Sequence, residues 1–366
     1  MTAISSLPVE VWQAILRYAV EVPYFLDPDA YEGVLSSSRF PLNDECAYWY
    51  TEKTRNRMQL VSKSWDSFLR PYEHRFIRML DIRHGKVAPE KLETAIRVSF
   101  GDYNCTCVGL CSNSSFFDFI IDALKQVGSM GAIVDMAKMP LFLWRLDPRL
   151  LENIKILVST PYSHKYRLDG LLRVLPSLRH FHGTNYYGIE GRGLVLSNLV
   201  TSAFSIWPNQ EYDSILFDFP CLRHLRVDSL ERTATVEFTK GAVLNILRVV
   251  GSQLLSLYLY HVPPGNETLE EVWELCPKME NFFTKFSLVS PPLSHPIHTL
   301  YLHSVEQMEG LDPLPEWPNL RTIGFRCKWS EVDVQRRDTL VPSRELRVED
   351  HEGLTLGEYK VRLKES

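Results

Sequence analysis

The chain has 366 residues, with 40 Lys and Arg against 45 Asp and Glu and a formal charge of -5. At roughly 150 residues per domain this length suggests two or three domains, and it allows a sizeable core without disulfide or metal staples. The modest net charge excludes a global field that would draw the chain onto nucleic acid or an anionic membrane.

No run approaches the ~18 apolar residues of a membrane span. Met1 to Ser6 carries no positive charge, and Glu10 and Arg17 interrupt the apolar run that follows, so the start does not read as a secretory signal. The seven cysteines are therefore expected to stay reduced, in the cytosol, the nucleus or both.

Leu7-Pro8-Val9-Glu10 opens the first expected helix. Pro8 suits a first turn, where its missing N–H costs nothing, and Glu10 sits early enough to favour the helix dipole. Val11, Ala14, Ile15, Tyr18 and Val22 recur on one apolar face. Trp12, Leu16 and Ala19 widen that face beyond what one packing partner needs. Residues 21–52 hold seven acids and one Arg, and read as an acidic loop with one short turn. A second helix is expected from about Thr54 to Tyr72, with Met58, Val61, Trp65, Phe68, Leu69 and Tyr72 on one stripe and Pro71 near its end. Residues 53–86 hold nine Lys and Arg against three Asp and Glu.

Leu7-Pro8-Val9-Glu10 followed by Val11, Ile15 and Leu16, and then Leu60-Val61-Ser62-Lys63-Ser64-Trp65, resembles the F-box. That motif reads Leu-Pro-x-Glu at its start and Val-Ser-Lys-x-Trp near its end. The resemblance covers about 75 residues of the chain. It implies that the helices dock on the Skp adaptor of a cullin-type ubiquitin ligase. The residues carried over are Leu7, Pro8, Val11, Trp12, Ile15, Leu16, Leu60, Val61 and Trp65, some docking the adaptor and others holding the hook together. The family joins the two halves through a short segment, whereas roughly 30 residues intervene here. Loop-closure entropy grows slowly with length, so the insertion is compatible with the fold. The alternative is two ordinary amphipathic helices packed on the chain's own body.

Residues 81–150 read as a transition segment. Glu90 to Phe100 and Phe116 to Val127 have helical character, and Ala132 to Met136 reads as a strand. Cys105-x-Cys107-x-x-x-Cys111 lacks a nearby fourth ligand for a structural zinc site, so no metal or other cofactor is expected. Gly188 to Gly193 lacks the strand–turn–helix context of a phosphate loop and reads as a turn.

From residue 151 to 366 a short Pro-x-Leu strand signal returns. Its first apolar anchors fall at 154, 178, 222, 254, 279, 297 and 320, with spacings of 24, 44, 32, 25, 18 and 23. Glu345-Leu346-Arg347-Val348 is a further terminal copy. The 44-residue gap is read as an insertion. Ala242, Val243, Ile246, Leu247 and Val250 form one helical stripe, and Thr268-x-x-Glu271 reads as a capping box before Leu269, Val272, Trp273 and Cys276. The pattern is similar to the divergent leucine-rich-repeat tails of F-box proteins, of the fungal sort. The usual Asn or Cys after the last Leu is replaced by Leu230, Val262 and Val305, so no asparagine ladder is expected. The alternative is a generic α/β domain with buried Pro-x-Leu strand starts.

The expected fold is thus α/β. Residues 1–80 form an F-box-like helical domain with an acidic insertion at about 21–52. An irregular leucine-rich-repeat solenoid follows, with parallel strands on its concave face and helices and loops on its convex face. Alternation along the strands places His180, His182, His224, Arg226, Tyr258, Tyr260, Phe283, Tyr301, His303 and Arg326 on the concave face, which is expected to be free of acids. That face is the candidate substrate surface, suited to an acidic or phosphorylated protein segment. No catalytic constellation is present in the sequence. The function implied is a non-enzymatic substrate adaptor of a Skp–cullin–F-box ubiquitin ligase. The alternatives are a repeat scaffold without a ligase role and, further off, a nucleic-acid binder using the basic stretch 53–86.

Overall fold

The computed structural model describes residues 7–27, 45–100, 118–119, 121–123, 131–136, 147–159, 172–183, 194–206, 217–229, 236–260, 266–284, 291–303, 317–325, 329, 346–350 and 354–365. The chain divides into two compact units, Met1–Tyr31 with Pro41–Asp135, and Glu32–Phe40 with Met136–Ser366.

The first unit opens with helices α1 (Val9–Val20), α2 (Pro23–Leu26), α3 (Glu45–Gln59) and α4 (Lys63–Leu69). The single helix expected over Thr54–Tyr72 is two. α3 begins nine residues earlier, inside the stretch read as loop, and stops at Gln59. Ser62 then starts α4: its backbone is extended, and its Oγ accepts a hydrogen bond from the Trp65 amide at 3.2 Å. A serine at this position satisfies an orphan donor of the first turn. The break separates Val61 from the stripe it was assigned to. Met58, Trp65, Phe68 and Tyr72 pack on a buried cluster of Leu16, Val20 and Leu69, while Val61 stays exposed.

Beyond a short 3-10 turn at Arg70–Tyr72 come β1 (Phe76–Arg78), α5 (Met79–Arg83), β2 (Arg97–Ser99) and β3 (Ile133–Met136). β1, β2 and β3 pair in parallel. The helix expected over Glu90–Phe100 is instead a 3-10 segment, Pro89–Thr94, leading into β2. The strand expected near Ala132–Met136 is present as β3. Residues 118–119 and 121–123 are helical.

In the second unit α6 (Pro148–Leu151) precedes β4 (Ile156–Ser159), β5 (His180–Gly183), β6 (Leu194–Val195), β7 (Thr201–Ile206), β8 (Phe217–Asp218) and β9 (His224–Ser229). Then come α7 (Val236–Val250), β10 (Ser256–Tyr260), α8 (Asn266–Leu275), β11 (Asn281–Thr284), β12 (Thr299–Leu302), β13 (Thr322–Phe325), β14 (Arg347–Glu349) and α9 (Leu356–Glu365). The strands run in parallel in the order β4-β5-β7-β9-β10-β11-β12-β13-β14, and β6 pairs with β8 in a separate small sheet. The α/β class with a parallel sheet and intervening helices agrees with the expectation.

One device repeats at the strand starts. The two amides after each anchor converge on a single carbonyl of the preceding copy. Val200 and Thr201 both donate to the Arg179 carbonyl, Leu255 and Ser256 to Arg223, and His298 and Thr299 to Glu280. Ile96 and Arg97 do the same to Arg75 in the first unit. The anchor therefore sits in a turn, and pleated alternation begins two residues after it. Leu225, Leu257, Phe282, Leu300 and Ile323 align in register as one buried row, each about 1.5–3 kcal/mol of burial for a side chain of this kind.

The second unit departs from the sequence expectations in three places. The 44-residue gap holds a full copy: Leu199 is its buried anchor and β7 its strand, so the spacing becomes 21 and then 23. Its strand carries Ser202 in the row where the neighbouring copies put Phe181 and Leu225, which hid it. Second, side-chain amides do brace the turns. Asn198 donates to the Pro176 carbonyl at 3.1 Å and Asn319 to His295 at 3.0 Å, both from the position just before the anchor. Third, Thr268 lies inside α8, which starts at Asn266, and does not cap it. The true capping box is Thr355-x-x-Glu358 at α9, where the Thr355 amide donates to Glu358 Oε2 at 2.7 Å and the Glu358 amide to Thr355 Oγ1 at 3.3 Å.

Gly324 is required by packing. A Cβ there would overlap the ring of Tyr301, its neighbour across the β12–β13 pair. Gly324→Val should lower unfolding stability by about 1–3 kcal/mol. Adding Tyr301→Ala should recover part of the loss, read as a coupling energy in urea titrations.

Candidate protein-interaction site

The nine F-box-like residues separate into two sets. Leu16 is fully buried on the inner side of α1. Trp12 packs against Trp65 of α4 with ring centroids 5.5 Å apart. These three hold α1 and α4 together. Leu7, Pro8, Val11, Ile15, Leu60 and Val61 are all exposed, Leu60 at 86% and Val61 at 63%. Val11 and Ile15 stand four residues apart and form an outward stripe on α1, and Leu7, two residues before the helix, is exposed at its start. Leu60 and Val61 occupy the turn that leads into α4.

The apolar face expected on α1 is therefore its solvent side. The residues that seemed to overfill it, Trp12, Leu16 and Ala19, lie with Val20 on the packed side. These side chains give two neighbouring elements an exposed apolar surface. Val9 and Tyr18 extend the exposed apolar area. Trp49 and Tyr50, also exposed, carry no signal in the sequence, because the stretch around them reads as loop.

The hook is fixed to the strands behind it by two arginines. Arg75 Nη2 donates to the Val20 carbonyl at 2.6 Å, capping the end of α1. Arg97, fully buried, reaches the Phe25 carbonyl at 3.2 Å, pairs with Asp135 at 3.2 Å, and lies 4.0 Å over the Phe25 ring.

In the second unit the strand register places the anticipated sheet-face residues on one face. His182 in β5, Arg226 in β9, Tyr258 in β10, Phe283 in β11 and Tyr301 in β12 follow one row; His180 and His224 lie in the adjacent one. Tyr260 lies in β10, His303 directly follows β12, and Arg326 lies outside the described residues, as do Cys105, Cys107 and Cys111.

This face differs from the open surface that alternation suggested. His180, His224, Tyr258 and Phe283 are buried, and His182, Arg226, Tyr301 and His303 are half-buried. His224 Nδ1 and Asn281 Nδ2 both meet Ser256 Oγ, at 3.0 and 3.1 Å, across three strands. Tyr258 stacks on Phe283 at 5.5 Å, with Tyr301 packed beside them. The face is also not free of acids. Asp228 aligns with Tyr260 on it and pairs with Arg226 at 3.1 Å, neutralising the cation expected to attract acidic targets. Burial, and secondarily Arg226, push the His182 imidazole down to about 3, so it is neutral near pH 7. Burial pushes the Tyr258 hydroxyl well above its ordinary range.

The chain thus carries two surfaces of different character: an exposed apolar face on the first unit and a largely closed aromatic–histidine face on the second. In comparisons with protein families and with curated proteins, no family model and no curated protein matches this chain.

Proposed function

We propose that the chain is a non-enzymatic substrate adaptor of a Skp–cullin–F-box ubiquitin ligase. The first unit docks the Skp adaptor, and a leucine-rich-repeat body in the second unit holds the target protein. The observation that carries the reading is the division of the motif residues. Leu16, Trp12 and Trp65 are spent on internal packing, while Leu7, Pro8, Val11, Ile15, Leu60 and Val61 are left facing water. A hook built only for its own body would bury such side chains, because each buried one is worth about 1.5–3 kcal/mol. Transfer of ubiquitin belongs to the partner proteins, and this chain contributes position.

Target capture is assigned to the second unit without a preference for acidic segments, since Asp228 already occupies Arg226. The test is co-elution of the purified chain with a Skp adaptor in gel filtration. The wild type should travel as a complex. Val11→Asp/Val61→Asp, which changes only exposed positions, should elute alone with an unchanged circular dichroism spectrum. Separate elution of the folded wild type would remove the docking claim.

A further inference from the structure

A cleft of about 530 Å³ opens between α3 and the β1–α5 segment, within the range of sites that hold a ligand or an anchoring side chain. Its floor is a satisfied ion network. Buried Arg55 pairs with Glu52 at 2.9 Å and Glu73 at 3.1 Å. Arg78 pairs with Asp81 at 2.8 Å and lies 5.3 Å from the Trp49 ring centroid. The hydrogen bonds from Arg55 and Gln59 hold the Glu73 carboxyl below its usual range against the opposing effect of burial, so it stays charged. His74, at the same cleft, holds a positive φ of 56° that a non-glycine residue rarely adopts.

The wall contributed by α3 is different. Lys53 and Arg57 line the cleft and are exposed, and neither has a carboxylate partner among the described residues. They stand four residues apart on one helix face, where like charges repel. Trp49, four residues before Lys53 on α3, and Leu60, in the turn just past the end of α3, close the row with apolar side chains, both exposed. The stripe thus reads apolar, cation, cation, apolar. At 1.5 Å per helical residue it is about 16 Å long, the span of roughly five extended residues.

We infer that this cleft binds a short acidic segment of a partner protein, two carboxylates flanked by apolar side chains. The carboxylates supply the counter-charge that Lys53 and Arg57 lack, and the flanking side chains cover Trp49 and Leu60. The fixed network below offers no spare cation, so selectivity rests on the α3 wall. The site stands whether or not the neighbouring apolar face docks a Skp adaptor, since only Leu60 is common to both.

The test uses the full chain and a fluorescein-labelled hexapeptide, Phe-Ser-Glu-Glu-Ser-Leu, with Phe-Ser-Gln-Gln-Ser-Leu as control, read by fluorescence anisotropy. The acidic peptide should bind at least about tenfold more tightly than the control, and added salt should weaken it. Lys53→Gln/Arg57→Gln should erase that difference while the far-ultraviolet spectrum is unchanged, and Val11→Asp/Val61→Asp should preserve it. Equal binding of both peptides, no binding of either, or full affinity in the folded glutamine variant would overturn the inference. So would competition by inorganic pyrophosphate as strong as by the peptide, which would give the cleft to a free anion. A dimer of the chain alone that the glutamine variant abolishes would give it to a second copy, and would equally overturn the proposal.

Discussion

Arg97→Ala should lower the stability of the first unit by about 3–5 kcal/mol, the cost of leaving one partner of a buried ion pair unpaired. Arg97 is 1% exposed and Asp135 4%. Removing the guanidinium takes its ion pair from the buried Asp135 carboxylate, releases the Phe25 carbonyl and empties the space over the Phe25 ring. Domains of this size have only about 5–15 kcal/mol in hand, so the loss is a large share of the total. The effect reaches the exposed apolar face of α1 through α2, which holds Phe25 directly after α1. Asp135→Asn alone should cost less, because the amide oxygen can still accept from Arg97. Adding Asp135→Ala to Arg97→Ala should return part of the loss. Urea midpoints of the three variants check this; a loss under about 1 kcal/mol for Arg97→Ala would contradict a buried ion pair at that position.

Acidification should destabilise the second unit before carboxylates titrate. The ordinary His value is 6.5, and His182 in the fold is pushed down to about 3, mainly by burial. The unfolded chain therefore takes up a proton near pH 6.5 that the folded chain refuses. The contribution is fully present above pH 6.5 and is lost as pH falls from there towards 3. One such group gives a slope of about 1.4 kcal/mol per pH unit in that window. His295, lowered by burial in spite of its bond to the Cys276 carbonyl, acts in the same direction. Unfolding free energies measured between pH 7 and pH 5 should fall steadily, and His182→Gln should flatten the slope by about one proton. An unchanged slope in that variant would place the proton uptake elsewhere.

Local signals carried the parts of the fold that were read correctly. Leu222, Leu254 and Met279 announce their strands because an apolar anchor two residues ahead of a pleated run is visible in any single copy. Alternation from those anchors then placed the sheet-face residues in the right register. The copy at Leu199 was hidden because Ser202 stands where Phe181 and Leu225 mark the neighbouring strands, and it is recognisable by its hydrogen bonds to Arg179 and its pairing with β5 and β9. The break at Ser62 was hidden for the opposite reason. Met58, Trp65, Phe68 and Leu69 keep a helical spacing across it, and only the serine cap, itself part of the Val-Ser-Lys-x-Trp signature, betrays the restart.

The binding surfaces were legible unevenly. The F-box-like residues were found by motif, but their division into inward and outward sets needed three-dimensional packing. The cleft in the first unit depends on Trp49, which the acidic, irregular stretch 21–52 obscured, and on Lys53, whose place on a helix face with Trp49 needed the helix to begin at Glu45. The closed state of the second unit's sheet face depends on neighbours across strands, which alternation cannot report. Asp228 shows this most clearly. It lies six residues after the Leu222 anchor, on the very face judged free of acids, and it cancels Arg226.

The central claim is that the exposed half of the hook is a docking face. Titration calorimetry of the chain with a purified Skp adaptor tests it most directly. The wild type should bind with a negative heat-capacity change, the mark of apolar burial. Val11→Asp/Val61→Asp should weaken binding by about a hundredfold, since each carboxylate is carried into a dry contact. Lys53→Gln/Arg57→Gln should leave it unchanged. Equal affinity for wild type and Val11→Asp/Val61→Asp, or no heat with the folded wild type, would contradict the account.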